Sequence, residues 1–168
     1  MRIIGGIHKG KTINAPKNLP VRPNTDFAKT GLFNILANRI DFEDIDVLDL
    51  FSGTGNISME FASRQAKSVL AVDVSMQCIK FVQEQAFKLP LPNLKCYKTD
   101  VFNFIKKPVL TFDLVFADPP YELEKIETIP DLVESAQLVR PGGLFVFEHG
   151  PKHDFKERAH FLEQRSYG

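Results

Sequence analysis

The run Val47-Leu48-Asp49-Leu50-Phe51-Ser52-Gly53-Thr54-Gly55-Asn56, followed by Val69-Leu70-Ala71-Val72-Asp73, decides the fold. Each segment opens with an almost unbroken apolar stretch, which reads as a strand covered on both faces. Between them, residues 56–64 space their apolar positions as a helix does. Gly53 and Gly55 let the chain turn sharply after the first strand and let backbone N–H groups come close to a ligand. Strand, glycine turn, helix and strand make the opening of a parallel crossover unit.

The alternation continues outward. Residues 75–88 read as a helix capped by Ser75, 94–98 as a weaker strand and 101–107 as a short helix. Residues 112–117 form a strand, 123–138 a helix, 144–147 a strand and 153–160 a helix, and 161–167 read as the start of one more strand. The pattern predicts a Rossmann-like, doubly wound, mostly parallel α/β sheet whose ligands lie beyond the carboxyl ends of its strands. Upstream, residues 2–6 and 11–14 flank His8-Lys9-Gly10 as a short hairpin, and 15–24 are stiffened by Pro16, Pro20 and Pro23. A helix then runs from a cap at Asn24 or Thr25 to about Arg39, with Phe27, Leu32, Phe33, Ile35 and Leu36 on its apolar side. The expected organisation is an N-terminal extension over 1–40 and an α/β unit over 41–168.

Composition bounds the function. The 168 residues are 43% hydrophobic and 25% charged, enough for one domain with a real core. No apolar run approaches the roughly 18 residues of a membrane span, and Met1–Gly6 lacks the apolar stretch of a secretion signal. Cys78 and Cys96 have neither CxxC nor zinc spacing, and His8, His149, His153 and His160 show no ligand spacing, so no metal is expected. The expected location is the cytoplasm. Twenty-one basic residues balance 21 acidic ones, yet residues 1–40 hold seven basic residues against the single acid Asp26, a net +6. Such a split suits an arm lying on a polyanion, or a basic face that is merely solvated.

The glycine turn is followed by an acid, Asp73, placed to accept hydrogen bonds from ribose hydroxyls at the end of the second strand. Two features separate the candidate cofactors. Ser58 stands where a dinucleotide fingerprint needs its third glycine. Asp49 is a poor neighbour for a pyrophosphate, but it suits the positive amino group of a methionine tail. Both favour S-adenosylmethionine over NAD; an ordinary turn in a flavodoxin-like domain is the plainer alternative. The cofactor set is Asp49, Phe51, Ser52, Gly53, Thr54, Gly55, Asn56, Asp73, Val74, Asp100 and Val101. Asp100 suits an adenine amino group, a helix cap, or both, while Phe51 and Phe102 suit adenine contact and core packing equally.

The tetrad Asp118-Pro119-Pro120-Tyr121 closes the fourth strand. Each proline fixes its own φ and turns the preceding residue away from helix, so the corner is stiff and extended. The Asp118 carboxylate and the Pro119 carbonyl can then face one small target, such as the exocyclic amine of a nucleobase. Two acceptors gripping its hydrogens favour a more tetrahedral nitrogen with a freer lone pair. Tyr121 can stack on the base for about 1–3 kcal/mol. A rigid turn with a helix-capping Asp is the alternative without chemistry.

These motifs, taken in order, resemble those of amino-methyltransferases. Met1-Arg2-Ile3-Ile4-Gly5-Gly6, Ala15-Pro16, Arg22-Pro23-Asn24-Thr25-Asp26, Leu32-Phe33-Asn34-Ile35-Leu36 and Pro141-Gly142-Gly143-Leu144 resemble the RsmD family more narrowly. The resemblance implies methylation of the N2 amine of a guanine in bacterial 16S rRNA, inside an assembled or partly assembled small ribosomal subunit. It implies RNA contact by Lys9, Lys11, Arg22 and Lys29. Two departures stand out. Phe27-Ala28-Lys29-Thr30 keeps only Lys29 of the family's basic pair and acid. The family's last strand, antiparallel to the others, has no counterpart before Ser166-Tyr167-Gly168. A DNA adenine-N6 methyltransferase and a non-catalytic ribosome-assembly factor on the same fold are the rival readings.

Overall fold

In a computed structural model, described over residues 1–19, 25–107 and 110–167, five strands form one all-parallel sheet. They are β1 (Asp46–Leu50), β2 (Ser68–Asp73), β3 (Leu94–Lys98), β4 (Phe112–Ala117) and β5 (Val139–Phe147), in spatial order β3-β2-β1-β4-β5. The helices are α1 (Asp26–Ala37), α2 (Asn56–Ser63), α3 (Met76–Lys88), α4 (Val101–Lys106) and α5 (Ile129–Ser135). The doubly wound architecture is as expected from the alternation of apolar runs and helices.

Successive strand residues supply opposite faces. Val47, Val69, Leu114 and Phe116 join Phe33 and Leu36 of α1, Ile57 and Phe61 of α2 and Val82 of α3 in one core layer. Leu48, Leu50, Val72 and Val115 join Val101 and Ile105 of α4 and Ile129 and Val133 of α5 in the other. The caps read from sequence are present: Thr25 Oγ1 accepts from Ala28 N (3.2 Å), Ser75 Oγ from Cys78 N (3.3 Å) and Asp100 Oδ1 from Asn103 N (3.0 Å). Pro20, Pro23 and Asn24 lie outside the described residues. Chain order runs from β1 outward to β3, then returns to β4 on the other side of β1. The winding therefore reverses between β1 and β4, which opens a crevice at their carboxyl ends.

The N-terminal hairpin is real but minimal. A single antiparallel bridge joins Arg2 to Thr12, supported by Ile3 N to Lys11 O (2.9 Å) and Ile13 N to Met1 O (2.9 Å). Ile3 and Ile13 are buried in the α1/α2 layer, so the extension is part of the core.

Three local expectations are corrected. Phe27 is 74% exposed, and the buried face of α1 consists of Lys29, Phe33 and Leu36. Those three stand at i, i+4 and i+7, the helical stripe itself, whereas Phe27 faces away from it. Residues 153–160 form turns instead of a helix; within them only Phe155 is buried, too little apolar surface to hold an amphipathic helix. Residues 161–167 form no strand, and Tyr167 packs against Gly31 and Phe27 of α1.

Candidate active site

Sheet register sets the site. Leu50 of β1 pairs with Val72 on one side and Ala117 on the other. Phe51, Asp73 and Asp118 therefore leave the sheet level with one another, at the point where the winding reverses.

The loop after β1 uses left-handed backbone at Phe51 (φ +61), Gly53 (φ +51) and Gly55 (φ +73). For Phe51 this is a strained conformation costing about 1–2 kcal/mol, of a kind concentrated at functional sites. At Gly55 a Cβ would fall 2.7 Å from Val82 Cγ2, so α3 also excludes a side chain there. Asp73 braces the loop: Oδ2 accepts from Gly53 N (2.8 Å) and Oδ1 from Ser75 N (2.8 Å). A carboxylate has about four acceptor positions, so both oxygens keep capacity for ligand hydroxyls.

Asp49 is 1% exposed and accepts a hydrogen bond from Ser58 Oγ. Burial raises its carboxyl to about 7; the Ser58 bond opposes that rise, and the charges of Asp118 and Asp73 add to it. This corrects the expectation of a direct contact with a ligand's amino group. Asp49 shares the α2 face of β1 with Val47, and Ser58 of α2 covers it.

At the second corner Asp118 and Tyr121 are half-buried, Pro119 is buried and Pro120 is exposed. Pro120 O accepts from Leu123 N (3.0 Å), which closes the turn. A Cβ on Gly150, just past β5, would lie 3.3 Å from Tyr121 Cδ2, so the tyrosine ring rests against that backbone. Beside Asp73, Val74 is 61% exposed and Met76 48%, two apolar side chains left open next to a ribose-type acceptor. Asp100 caps α4 and is half-buried, while Val101 is buried. Phe51 and Phe102 meet edge to face (6.5 Å) and pack, half-buried, on the α4/α5 layer.

The RNA set divides. Lys9 and Lys11 are exposed, as is Lys17 of the same basic arm outside that set, and Arg22 lies outside the described residues. Lys29 is corrected: it is 2% exposed, with Nζ donating to Arg2 O (2.5 Å) and Asn56 Oδ1 (2.7 Å) and 3.3 Å from Glu60 Oε2. Desolvation lowers its pKa against the pull of Glu60. A side chain so enclosed has no surface to offer a phosphate. Sequence reasoning missed this network, although Lys29 stands on the Phe33/Leu36 stripe. It also missed Ser58 as the partner of Asp49 and the left-handed Phe51, for which a single sequence carries no signal.

The fold defines the class: the doubly wound sheet is that of the Rossmann-like, S-adenosylmethionine-dependent methyltransferases. The conserved hypothetical protein 95 family matches residues 1–168, and the chain belongs to it; this is the RsmD family whose motifs the sequence resembles. Ribosomal RNA small subunit methyltransferase D of Haemophilus influenzae is 32% identical over 157 residues, covering 88% of this chain and 78% of the relative. A solved hypothetical protein of Thermus thermophilus superposes with TM-score 0.85 at 24% identity, covering 99% of this chain and 94% of the other. The ribosomal protein L11 methylase of Lactobacillus delbrueckii shares the fold at TM-score 0.57 and 23% identity, over 74% of this chain and 61% of its own.

The residues present fit the cofactor that this class implies. Asp49, Asp73 and Asp118 lie close enough to interact electrostatically, which suits a cationic ligand and repels a pyrophosphate. Ser52 Oγ and Asn56 Nδ2 are buried at the loop with no hydrogen-bond partner among the described residues, polar atoms left over in the segment the cofactor would occupy.

Proposed function

We propose that this protein transfers a methyl group from S-adenosylmethionine to the exocyclic N2 amine of a guanine in 16S rRNA, within an assembled or partly assembled small ribosomal subunit. The observation that carries the reading is the level placement of two carboxylates, Asp73 and Asp118 of the proline-locked corner, on either side of a glycine loop at the sheet's switch point. The H. influenzae relative's name supports rRNA as substrate.

When bound, S-adenosylmethionine supplies a methyl group already activated on a sulfonium. The chain's own task is alignment. Asp73 offers its remaining acceptor positions to the ribose, Val74 an apolar face to the adenine and Asp100 an acceptor to its amino group. The loop Ser52–Asn56 receives the amino-acid tail. Asp118 and the Pro119 carbonyl hold the two amine hydrogens, and Tyr121 supports the base plane. With Asp118, Pro119 and Tyr121 holding the amine against the donor, alignment of the two reactants would supply the acceleration. A hydrogen bond from the amine to the charged Asp118 is worth about 1.5–3 kcal/mol. The exposed Lys9, Lys11 and Lys17 supply phosphate contacts that position the RNA without reading its sequence.

The test is methyl transfer from labelled cofactor to three acceptors: free 16S rRNA, small subunits from cells lacking this protein, and duplex DNA. Label on a guanine N2 of rRNA, abolished in Asp118→Ala while cofactor affinity persists, is the expected result. Label on adenine of DNA supports the rival enzyme. Tight subunit binding with no transfer supports the assembly factor. Wild-type turnover by folded Asp118→Ala protein removes the assignment of the corner.

A further inference from the structure

Strand alternation sets a further acidic residue beside the proline-locked corner. In β5, Leu144 and Val146 pack on the α1/α2 layer, and Phe145 and Phe147 on the α4/α5 layer. The alternation continues past the strand end. The His149 ring stays on the Phe147 side, 5.8 Å from Phe147 and 4.8 Å from the buried Phe155. Glu148, between Phe147 and His149, therefore takes the opposite face. Its backbone N donates to Ala117 O (2.9 Å), so it leaves the sheet beside Asp118. Asp118 follows Leu114 and Phe116 onto that same face, where its charge reaches Asp49. Two half-buried acids thus stand on neighbouring strands, whose backbones run about 4.8 Å apart.

Strand order decides which part of a substrate meets Glu148. The glycine loop follows β1 and Asp73 ends β2, so the proposed cofactor lies on the β1 side of β4, while β5 flanks β4 on the other side. An amine held at Asp118 with its nitrogen toward the donor must carry the rest of its base away from β1, toward β5. Tyr121, the proposed support of the base plane, rests against Gly150 at the same end of β5. The ring position next to the amine therefore comes to Glu148. In guanine that position is N1–H, a second donor beside the N2 amine. In adenine and cytosine the ring nitrogen beside the amine is an acceptor. A carboxylate only accepts, so it pairs with the first and repels the other two.

We infer that Glu148 is the specificity-determining residue: it accepts a hydrogen bond from guanine N1–H while Asp118 and the Pro119 carbonyl hold the N2 amine. The inference rests on the methyltransferase reading, which brings a base amine to the corner, and gives the physical reason that the base is guanine.

The test compares guanine with 2-aminopurine, which keeps the N2 amine but carries a lone pair at N1. Small subunits are reconstituted on 16S rRNA bearing either base at the position that wild type labels, installed by ligating a synthetic segment. Wild type should favour guanine in kcat/KM by about 10- to 100-fold, the worth of a hydrogen bond to a charged acceptor. The carboxamide of Glu148→Gln can donate to N1 of 2-aminopurine. The preference should therefore fall about 10-fold or more in this variant, chiefly through faster methylation of 2-aminopurine than wild type achieves. Damage to the fold would not produce that gain. Equal losses on both bases, loss of all activity in the variant, or a wild type that accepts both bases alike would each overturn the inference. A wild type that labels no guanine in any subunit would instead remove the underlying methyltransferase reading.

Discussion

Replacing Asp49 with asparagine tests the electrostatics beneath the loop. The Asp49 carboxyl is raised from 3.8 to about 7, chiefly by burial. Between those values the folded protein holds a proton that the unfolded chain has released, so stability falls as pH rises from about 4 to 7 and is level above. At about 1.36 kcal/mol per unit, ionised Asp49 costs the fold roughly 4 kcal/mol above pH 7. The asparagine of Asp49→Asn never ionises and still accepts from Ser58 Oγ, but its amide donors enter a buried space, at about 1–3 kcal/mol. The variant should therefore be no more stable than wild type at pH 5, and more stable by about 1–3 kcal/mol at pH 8. Urea melts of both proteins at both pH values measure this, and titrations common to the two cancel. The variant-minus-wild-type difference should shift by roughly 3 kcal/mol in the variant's favour from pH 5 to pH 8. A difference independent of pH would show that Asp49 does not carry a raised pKa. The same substitution should weaken S-adenosylmethionine at pH 8 by removing a negative charge beneath a cationic ligand, and change little at pH 5.

Other perturbations reach other parts of the molecule. Gly55→Ala places a methyl 2.7 Å from Val82 on left-handed backbone; it should cost at least about 1–2 kcal/mol in urea melts and weaken cofactor binding in calorimetry. Lys29→Met breaks the buried contact with Glu60 and should lower stability by about 3–5 kcal/mol, an effect that a surface phosphate contact would not show in a melt without RNA. Lys9→Ala/Lys11→Ala should weaken binding to single-stranded rRNA and lessen the slope of log K against log salt by about 0.7 for each phosphate no longer engaged, with melting unchanged.

Much of this was legible in the chain itself, because it depends on residues near one another in sequence. Apolar runs on both sides of Gly53 and Gly55 give β1, α2 and β2 their order, and Thr25, Ser75 and Asp100 mark helix starts through bonds that reach only three residues. The acids that end β2 and follow β4 could be named as site candidates because parallel winding brings all carboxyl ends to one edge. The helix expected over 153–160 failed because amphipathic spacing needs a surface to cover, and only Phe155 finds one. Tertiary packing alone decided the charged residues. Lys29 has the same composition signal as Lys9 and Lys11, yet Arg2 O of the N-terminal segment and Asn56 and Glu60 of α2 enclose it. Asp49 reads as a binding acid until Ser58 covers it and burial moves its ionisation toward neutrality. Secondary structure follows from local spacing, whereas the free energy of a charge depends on the water and partners around it, and only the folded chain sets those.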